Sequence, residues 1–276
     1  MTAEPVALVT GATSGIGEAT ADRLQAAGYC VYAVGRNPEA LQRLQSRGLA
    51  ARALDITDEQ AVERLIAEII AEHGRVDVLV NCAGFPLTSP LEQLPLDDLR
   101  NLFETNVVAA LRLSQAVLPG MRGRGAGVIV NIGSTGGRFA SPGAGGYHVI
   151  KYGMEALSLS LRAEVAPFGV RVVLLDPTAV HTPFVTSQQE AQPSYADDDP
   201  YAAFKRRYAD NTRELTAKRG VMIEPDAVAR AVVRAVRARN PRPRYVVGLS
   251  GKLTVLARAL LTDRMWDRIL LRGLRD

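Results

Sequence analysis

The sequence predicts an α/β fold, a doubly wound parallel sheet in three layers (α/β/α) forming a single domain. Three observations carry this expectation. The segments "PVALVT", "YCVYAVG", "VDVLVN", "GVIVNIG" and "GVRVVLLD" are short and almost continuously apolar, as strands covered on both faces are. Longer helical patterns alternate with them, so each strand-to-strand link is a crossover, and right-handed crossovers give parallel strands with helices on both faces. A chain of 276 residues, 47% of them hydrophobic, is long enough to bury about 75% of its unfolded surface in one core.

The first strand runs directly into "TGATSGIG", which opens a helix over 15–27. Gly11 permits a tight turn there, and a loop lacking Cβ atoms at Gly11, Gly15 and Gly17 lets backbone approach a pyrophosphate. The helix start adds unpaired N–H groups and a partial positive charge. The plain alternative is a glycine-rich turn with no ligand. The second strand ends Val34-Gly35-Arg36. NAD-preferring sites place an acid there for the ribose 2′-hydroxyl, whereas a guanidinium suits a 2′-phosphate, so Arg36 selects NADP(H). Its bland alternative is a surface charge flanking the helix at 40–46. The third strand ends in "ALDITD", which leaves Asp55 either within reach of an adenine or capping the helix over 58–73.

Past the fourth strand, residues 95–122 read as two helices, and past the fifth lies Ser134. The stretch 147–166 is helical and opens with "YHVIK", which sets Tyr147 and Lys151 on one face because i and i+4 are neighbours. A cation beside a phenol favours the phenolate, by roughly 4 kcal/mol at ~4 Å and an effective dielectric of ~20. That would pull the phenol below its usual ~10 and make it a usable acid and base. His148, about 100° round the helix, reads as packing or pocket lining rather than a catalytic base. The rhythm breaks after Asp176: residues 181–220 are polar and contain "YADDDPY", an excursion beyond a strand's carboxyl end of the kind that encloses ligands. A helix over 225–239 and the strand "RYVVG" follow.

Charge is unevenly spread. Residues 205–276 hold 18 Lys and Arg against 7 Asp and Glu in a chain whose net charge is +4. With no helix-turn-helix pattern and no interleaved aromatics, nucleic acid is not an expected partner. The tail over 251–276, "KLTVLARALLTDRMWDRILLRGLRD" from Lys252 on, alternates apolar and basic residues at helical spacing. Such a helix is expected to pack on its own domain or a sister subunit; the alternative is a membrane surface, with Trp266 and the leucines below and the arginines above. Cys30 and Cys82 have neither metal-ligand spacing nor the number a disulfide scaffold needs, and read as small buried hydrophobes. No apolar run reaches about eighteen residues, and Met-Thr-Ala-Glu-Pro has no signal-peptide pattern, so a soluble, cytoplasmic protein is expected.

"TGATSGIG", "NCAG" at 81–84, "TNV" at 105–107, "IGS" at 132–134, "YHVIK" at 147–151 and "DPTAVHT" at 176–182 stand in the order found in the short-chain dehydrogenases/reductases. The chain resembles that family over residues 5–250, and "GGRFASPGAGGY" with the helix that follows is similar to its hydroxysteroid- and retinol-dehydrogenase branch. The resemblance implies a Rossmann-type catalytic domain over 1–250, with 181–220 as its substrate loop and 251–276 as a helical tail. It implies interconversion of a ketone or aldehyde with an alcohol, NADP(H) as hydride carrier and Tyr147 as general acid and base. Lys151 would also bind the nicotinamide ribose, Ser134 orient the substrate oxygen, and Asn106 interrupt a helix and hold a relay water.

Gly11, Thr13, Ser14, Gly15, Ile16 and Gly17 would cradle the phosphates. Arg36, Asp55 and Ile56 would receive the adenosine end, with Asn81, Ala83 and Gly84 beside its ribose and Asn81 mainly structural. Pro177, Val180 and Thr182 would meet the nicotinamide, although Thr178 stands where the family usually has glycine, which puts the loop geometry in question. Residues 138–146 and 181–220 would set specificity, with Phe184, Tyr195, Tyr201, Phe204 and Tyr208 as an apolar wall for a lipophilic small molecule. A homodimer or homotetramer is implied. The alternative function is an NADP(H)-binding sensor or scaffold without turnover, of a kind that usually loses part of the Tyr/Lys pair.

Overall fold

The computed structural model describes residues 4–184, 198–218 and 220–272. Seven strands form one sheet in the order β3-β2-β1-β4-β5-β6-β7: β1 (Val6–Thr10), β2 (Cys30–Gly35), β3 (Ala50–Ala53), β4 (Val78–Asn81), β5 (Gly127–Ile132), β6 (Val170–Pro177) and β7 (Arg244–Val247). Every neighbouring pair is parallel. The doubly wound sheet expected from the alternating pattern is therefore present, and its order reverses between β1 and β4.

Side chains on a strand alternate between faces, and the two halves of the core follow that period. Ala7 and Val9 of β1 pack beneath α1 (Gly15–Ala26), α2 (Pro38–Ser46) and the helix Pro225–Arg237. Val6 and Leu8 pack beneath α3 (Glu59–His73), α5 (Ala109–Arg124) and α6 (Gly145–Val165). Helix starts follow local chemistry. Asn37 accepts from the Ala40 N–H at 2.9 Å with Pro38 in the first turn, and Asp58 accepts from the Ala61 N–H at 3.0 Å. Asp58, not Asp55, thus caps α3.

Residues 95–122 form α4 (Leu96–Phe103) and α5, joined by a π-helical turn, Glu104–Val108, that carries Asn106. Beyond β6 come α7 (Ala202–Ala217), α8 (Pro225–Arg237) and then β7. The tail is not one helix but two, α9 (Leu249–Leu260) and α10 (Asp263–Arg272), because Thr262 ends the first and accepts the Met265 N–H at both its carbonyl (3.0 Å) and its hydroxyl (3.4 Å). Among the described residues no helix is long and apolar enough to cross a membrane.

Candidate active site

A cleft of about 510 Å³ opens at the carboxyl ends of β1, β2, β4, β5 and β6, across the point where strand order reverses, which is where open α/β sheets bind ligands. Its floor is the glycine turn. At Gly11, with φ +64°, an added Cβ would lie 2.8 Å from Ala83 Cα, and at Gly17 it would lie 2.1 Å from the Gly11 carbonyl oxygen. At both positions a side chain would strike backbone, so β1, α1 and the end of β4 approach closely here. The Thr10 hydroxyl holds the β4 end in register by accepting from the N–H groups of Cys82 (3.0 Å) and Ala83 (3.2 Å).

Gly11, Thr13, Ser14, Gly15, Ile16, Gly17, Arg36, Asp55, Ile56, Ala83, Gly84, Ser134, Tyr147, Lys151, Pro177, Val180 and Thr182 all line this cleft. Arg36 is exposed at its rim beyond the β2 end. Asp55 takes the Thr57 hydroxyl (2.7 Å) and N–H (3.0 Å), and these bonds hold its carboxyl below the usual range. Asn81 and Asn106 lie behind the walls. Asn81 donates to Asn131 Oδ1 at 2.8 Å, binding β4 to β5. Asn106 donates to the Leu102 carbonyl at 3.0 Å, and its own carbonyl oxygen presses on Gly84, where a Cβ would sit only 2.4 Å away. The π turn is what aims this side chain inward.

Tyr147 and Lys151 rise from the first turns of α6 on one face, as their spacing predicts. The Lys151 Nζ lies 5.7 Å from the centre of the Tyr147 ring and donates to the Ile132 carbonyl at 3.2 Å. The expected depression of the phenol by this cation is not found. Burial pushes Tyr147 up to about 12, opposed by a hydrogen bond from Ser134. Burial likewise pulls Lys151 down to about 8. Taking both groups out of water disfavours both charges, and the ammonium sits across the ring rather than on the hydroxyl.

Ser134 sits beyond β5, its hydroxyl accepting the Gly136 N–H at 3.0 Å. Two supports for it were not visible in the residue pattern. Buried His148 accepts the Ser141 N–H on Nε2 at 3.0 Å, so Nδ1 carries the proton and donates to the Gly136 carbonyl at 2.7 Å. The packing role expected of His148 is thus a staple between α6 and the Ser134 loop. Beneath the same loop lies Asp176, buried at the end of β6, which accepts from the Ser134 N–H. Arg244 Nε is 3.1 Å from its carboxylate and also pairs with Glu155. Burial, then Glu155, push Asp176 up to about 7.

Thr178 strains nothing, since among the described residues no non-glycine has positive φ. Its N–H donates to the Val247 carbonyl at 2.9 Å and its hydroxyl meets Ser250 Oγ at 3.1 Å. The positive φ falls instead on Gly248, where a Cβ would come within 2.3 Å of Thr178 Cγ2. Of the aromatic wall, Phe184 lines the cleft, 6.0 Å from the Tyr147 ring. Tyr201, Phe204 and Tyr208 instead form a ladder on and beside α7, the last two covering Gly143, and Tyr195 lies outside the described residues. Phe85 and Leu87 after β4 supply apolar walls that the pattern did not reveal. Cys82 also lines the cleft, and burial pushes its thiol up to about 12, so it is an inert wall residue.

A parallel sheet with a glycine-walled crevice at its switch point, holding tyrosine, lysine and serine together, defines the dinucleotide-dependent oxidoreductases of this fold. The protein belongs among the short-chain dehydrogenases/reductases: the short chain dehydrogenase family model matches residues 5–193. It is 31% identical to an NADPH-dependent 3-dehydrocapnine reductase of Ornithobacterium rhinotracheale, across 98% of this chain and 97% of the relative. It is 34% identical to human 17-beta-hydroxysteroid dehydrogenase type 1, across 88% and 77%, which accords with the hydroxysteroid-like motifs. A single-residue variant of actinorhodin polyketide ketoreductase, solved with NADPH, superimposes with a TM-score of 0.74 at 30% identity, across 91% of this chain and 97% of that one.

Proposed function

We propose that this enzyme is an NADP(H)-dependent reductase and dehydrogenase that interconverts a lipophilic ketone or aldehyde with its alcohol, using Tyr147 as the proton carrier. The observation that carries the reading is the convergence of Tyr147, Ser134 and Lys151 on a cleft whose other end is the close-packed glycine turn before α1, with Arg36 at its rim. That turn fits a pyrophosphate, and the guanidinium fits a 2′-phosphate. NADPH, when bound, supplies the hydride. Ser134 orients the carbonyl oxygen, Tyr147 Oη gives that oxygen its proton, and in oxidation takes it back. Lys151 binds the ribose hydroxyls and replaces the tyrosine proton, with Asn106 holding the water that connects Lys151 to solvent. Phe85, Leu87 and Phe184 favour an apolar substrate.

NADPH consumption with carbonyl compounds of graded lipophilicity tests the substrate class. Rates should rise with apolar size; turnover confined to sugars or small polar acids would overturn it. For the cofactor, Arg36→Ala should raise the KM for NADPH about 10- to 100-fold, the worth of a lost charge-assisted contact, and leave that for NADH nearly unchanged. Equal losses with both cofactors would remove Arg36 from 2′-phosphate recognition.

The pH profile has a definite sign. Tyr147, raised to about 12, keeps its proton through neutral pH and is ready to donate it. Lys151, lowered to about 8, holds its charge below that value and loses it above. The kcat/KM for carbonyl reduction is therefore expected to stay level on the acid side and to fall as pH rises through 8. A profile level to about pH 10 would mean that Lys151 keeps its proton in the working enzyme.

A further inference from the structure

The tail helices have two unlike faces. Inward, α9 sits on the candidate active-site loops: Gly251 faces Thr135 and Thr178, where a Cβ would lie 2.8 and 3.1 Å from their side chains. On α10, buried Trp266 packs 5.7 Å from Phe139, which lies 5.8 Å from His148, the neighbour of Tyr147. Outward, Leu249, Leu253, Leu256 and Leu260 share one stripe of α9, spaced by four, three and four residues, and are between 56% and 76% exposed. On α10, Met265, Ile269 and Leu271 are also exposed, at 46%, 49% and 48%. The tail thus packs on its own domain through Gly251 and Trp266, which takes Trp266 away from any lipid, and leaves the leucine stripe uncovered. The four leucines on one face of α9 form a patch, not scattered exposure.

Charge selects what covers it. Residues 249–272 carry Lys252, Arg258, Arg264, Arg268 and Arg272 against Asp263 and Asp267. Arg258 pairs with Asp263 at 2.6 Å and lies over Trp266, so Lys252, Arg264, Arg268 and Arg272 against Asp267 leave a net charge of about three. A second copy meeting this face by two-fold symmetry would set that excess against its like. An anionic lipid surface offers the leucines acyl chains and the cations phosphate. We propose that α9 and α10 dock the protein peripherally on anionic membranes, leucines down, with the helix pair linking the bilayer surface to the loops beside the catalytic cleft. The surface alone carries this inference, whatever the substrate proves to be.

Flotation of the full-length protein with vesicles of phosphatidylcholine alone or mixed equally with phosphatidylglycerol tests it, without reference to turnover. The expected result is flotation with the mixed vesicles, roughly 100-fold stronger partitioning than on neutral ones for a net charge of three, and loss of the difference in high salt. The triple variant Leu253→Ser/Leu256→Ser/Leu260→Ser should release the protein while NADPH binding, read by fluorescence, persists and shows the domain intact. Charge reversal with Lys252→Glu/Arg264→Glu/Arg268→Glu should abolish the anionic preference. Equal flotation with both vesicle types, undiminished flotation of the leucine variant, or a wild-type oligomer that the leucine variant dissociates would each overturn the proposal, the last by showing that a sister subunit covers the stripe.

Discussion

Tyr147→Phe is expected to lower kcat for carbonyl reduction by about 10²- to 10⁴-fold, the range a positioned proton donor supplies, while NADPH still binds. The substitution removes one oxygen and keeps the ring, so the packing of the ring against His148 and Phe184, at 6.0 Å centre to centre in both cases, should survive. The phenol is raised to about 12 by burial, so the wild-type group is a proton donor at neutral pH and an unwilling base. Oxidation of the alcohol should then be the slower direction near neutrality and should gain with rising pH until Lys151 discharges. Single-turnover absorbance of NADPH separates chemistry from binding. If the phenylalanine variant reduces the best substrate at a rate within about threefold of wild type, Tyr147 is not the proton carrier and the proposed mechanism fails.

Gly17→Ala is expected to cost about 3 kcal/mol or more of stability and to abolish tight NADPH binding. Its Cβ would sit 2.1 Å from the Gly11 carbonyl oxygen and 2.6 Å from that carbonyl carbon. Both are backbone atoms of the turn that forms the phosphate wall, so relief requires α1 to move off β1. Gly28→Ala is the control. Its φ is +86° and nothing lies within 4 Å of the added Cβ, leaving only left-handed strain of about 1–2 kcal/mol. Urea unfolding of both variants, with NADPH titration by fluorescence, makes the comparison. Because Gly17, unlike Gly28, has no positive φ, losses no larger at Gly17 than at Gly28, with NADPH binding kept, would show that the close approach of Gly17 to Gly11 is relieved at little cost and does not shape the phosphate wall.

Much of this molecule could be read before any coordinates. The strands announce themselves because both faces of a parallel sheet are buried, which forces near-continuous apolar runs such as "VVLLD". The face shared by Tyr147 and Lys151 follows from helical periodicity alone. Asp55 shows the limit. Two aspartates three residues apart both suit a cap, and whether Asp55 or Asp58 performs it depends on where the chain leaves β3. The break between α9 and α10 was hidden for a similar reason, since Thr262 is an ordinary helical residue until its carbonyl and hydroxyl are seen to take the Met265 N–H.

Residue identity and spacing settled the sheet type, the glycine turn and the set of polar groups at the strand ends, because those depend on local sterics and on periods of two and 3.6 residues. Folding in three dimensions settled what surrounds each group: that burial and not Lys151 governs Tyr147, that His148 and Asp176 both brace the Ser134 loop, and that the α9 leucines face outward. Solvation and packing depend on segments far apart in the chain arriving at one place. No local pattern records them.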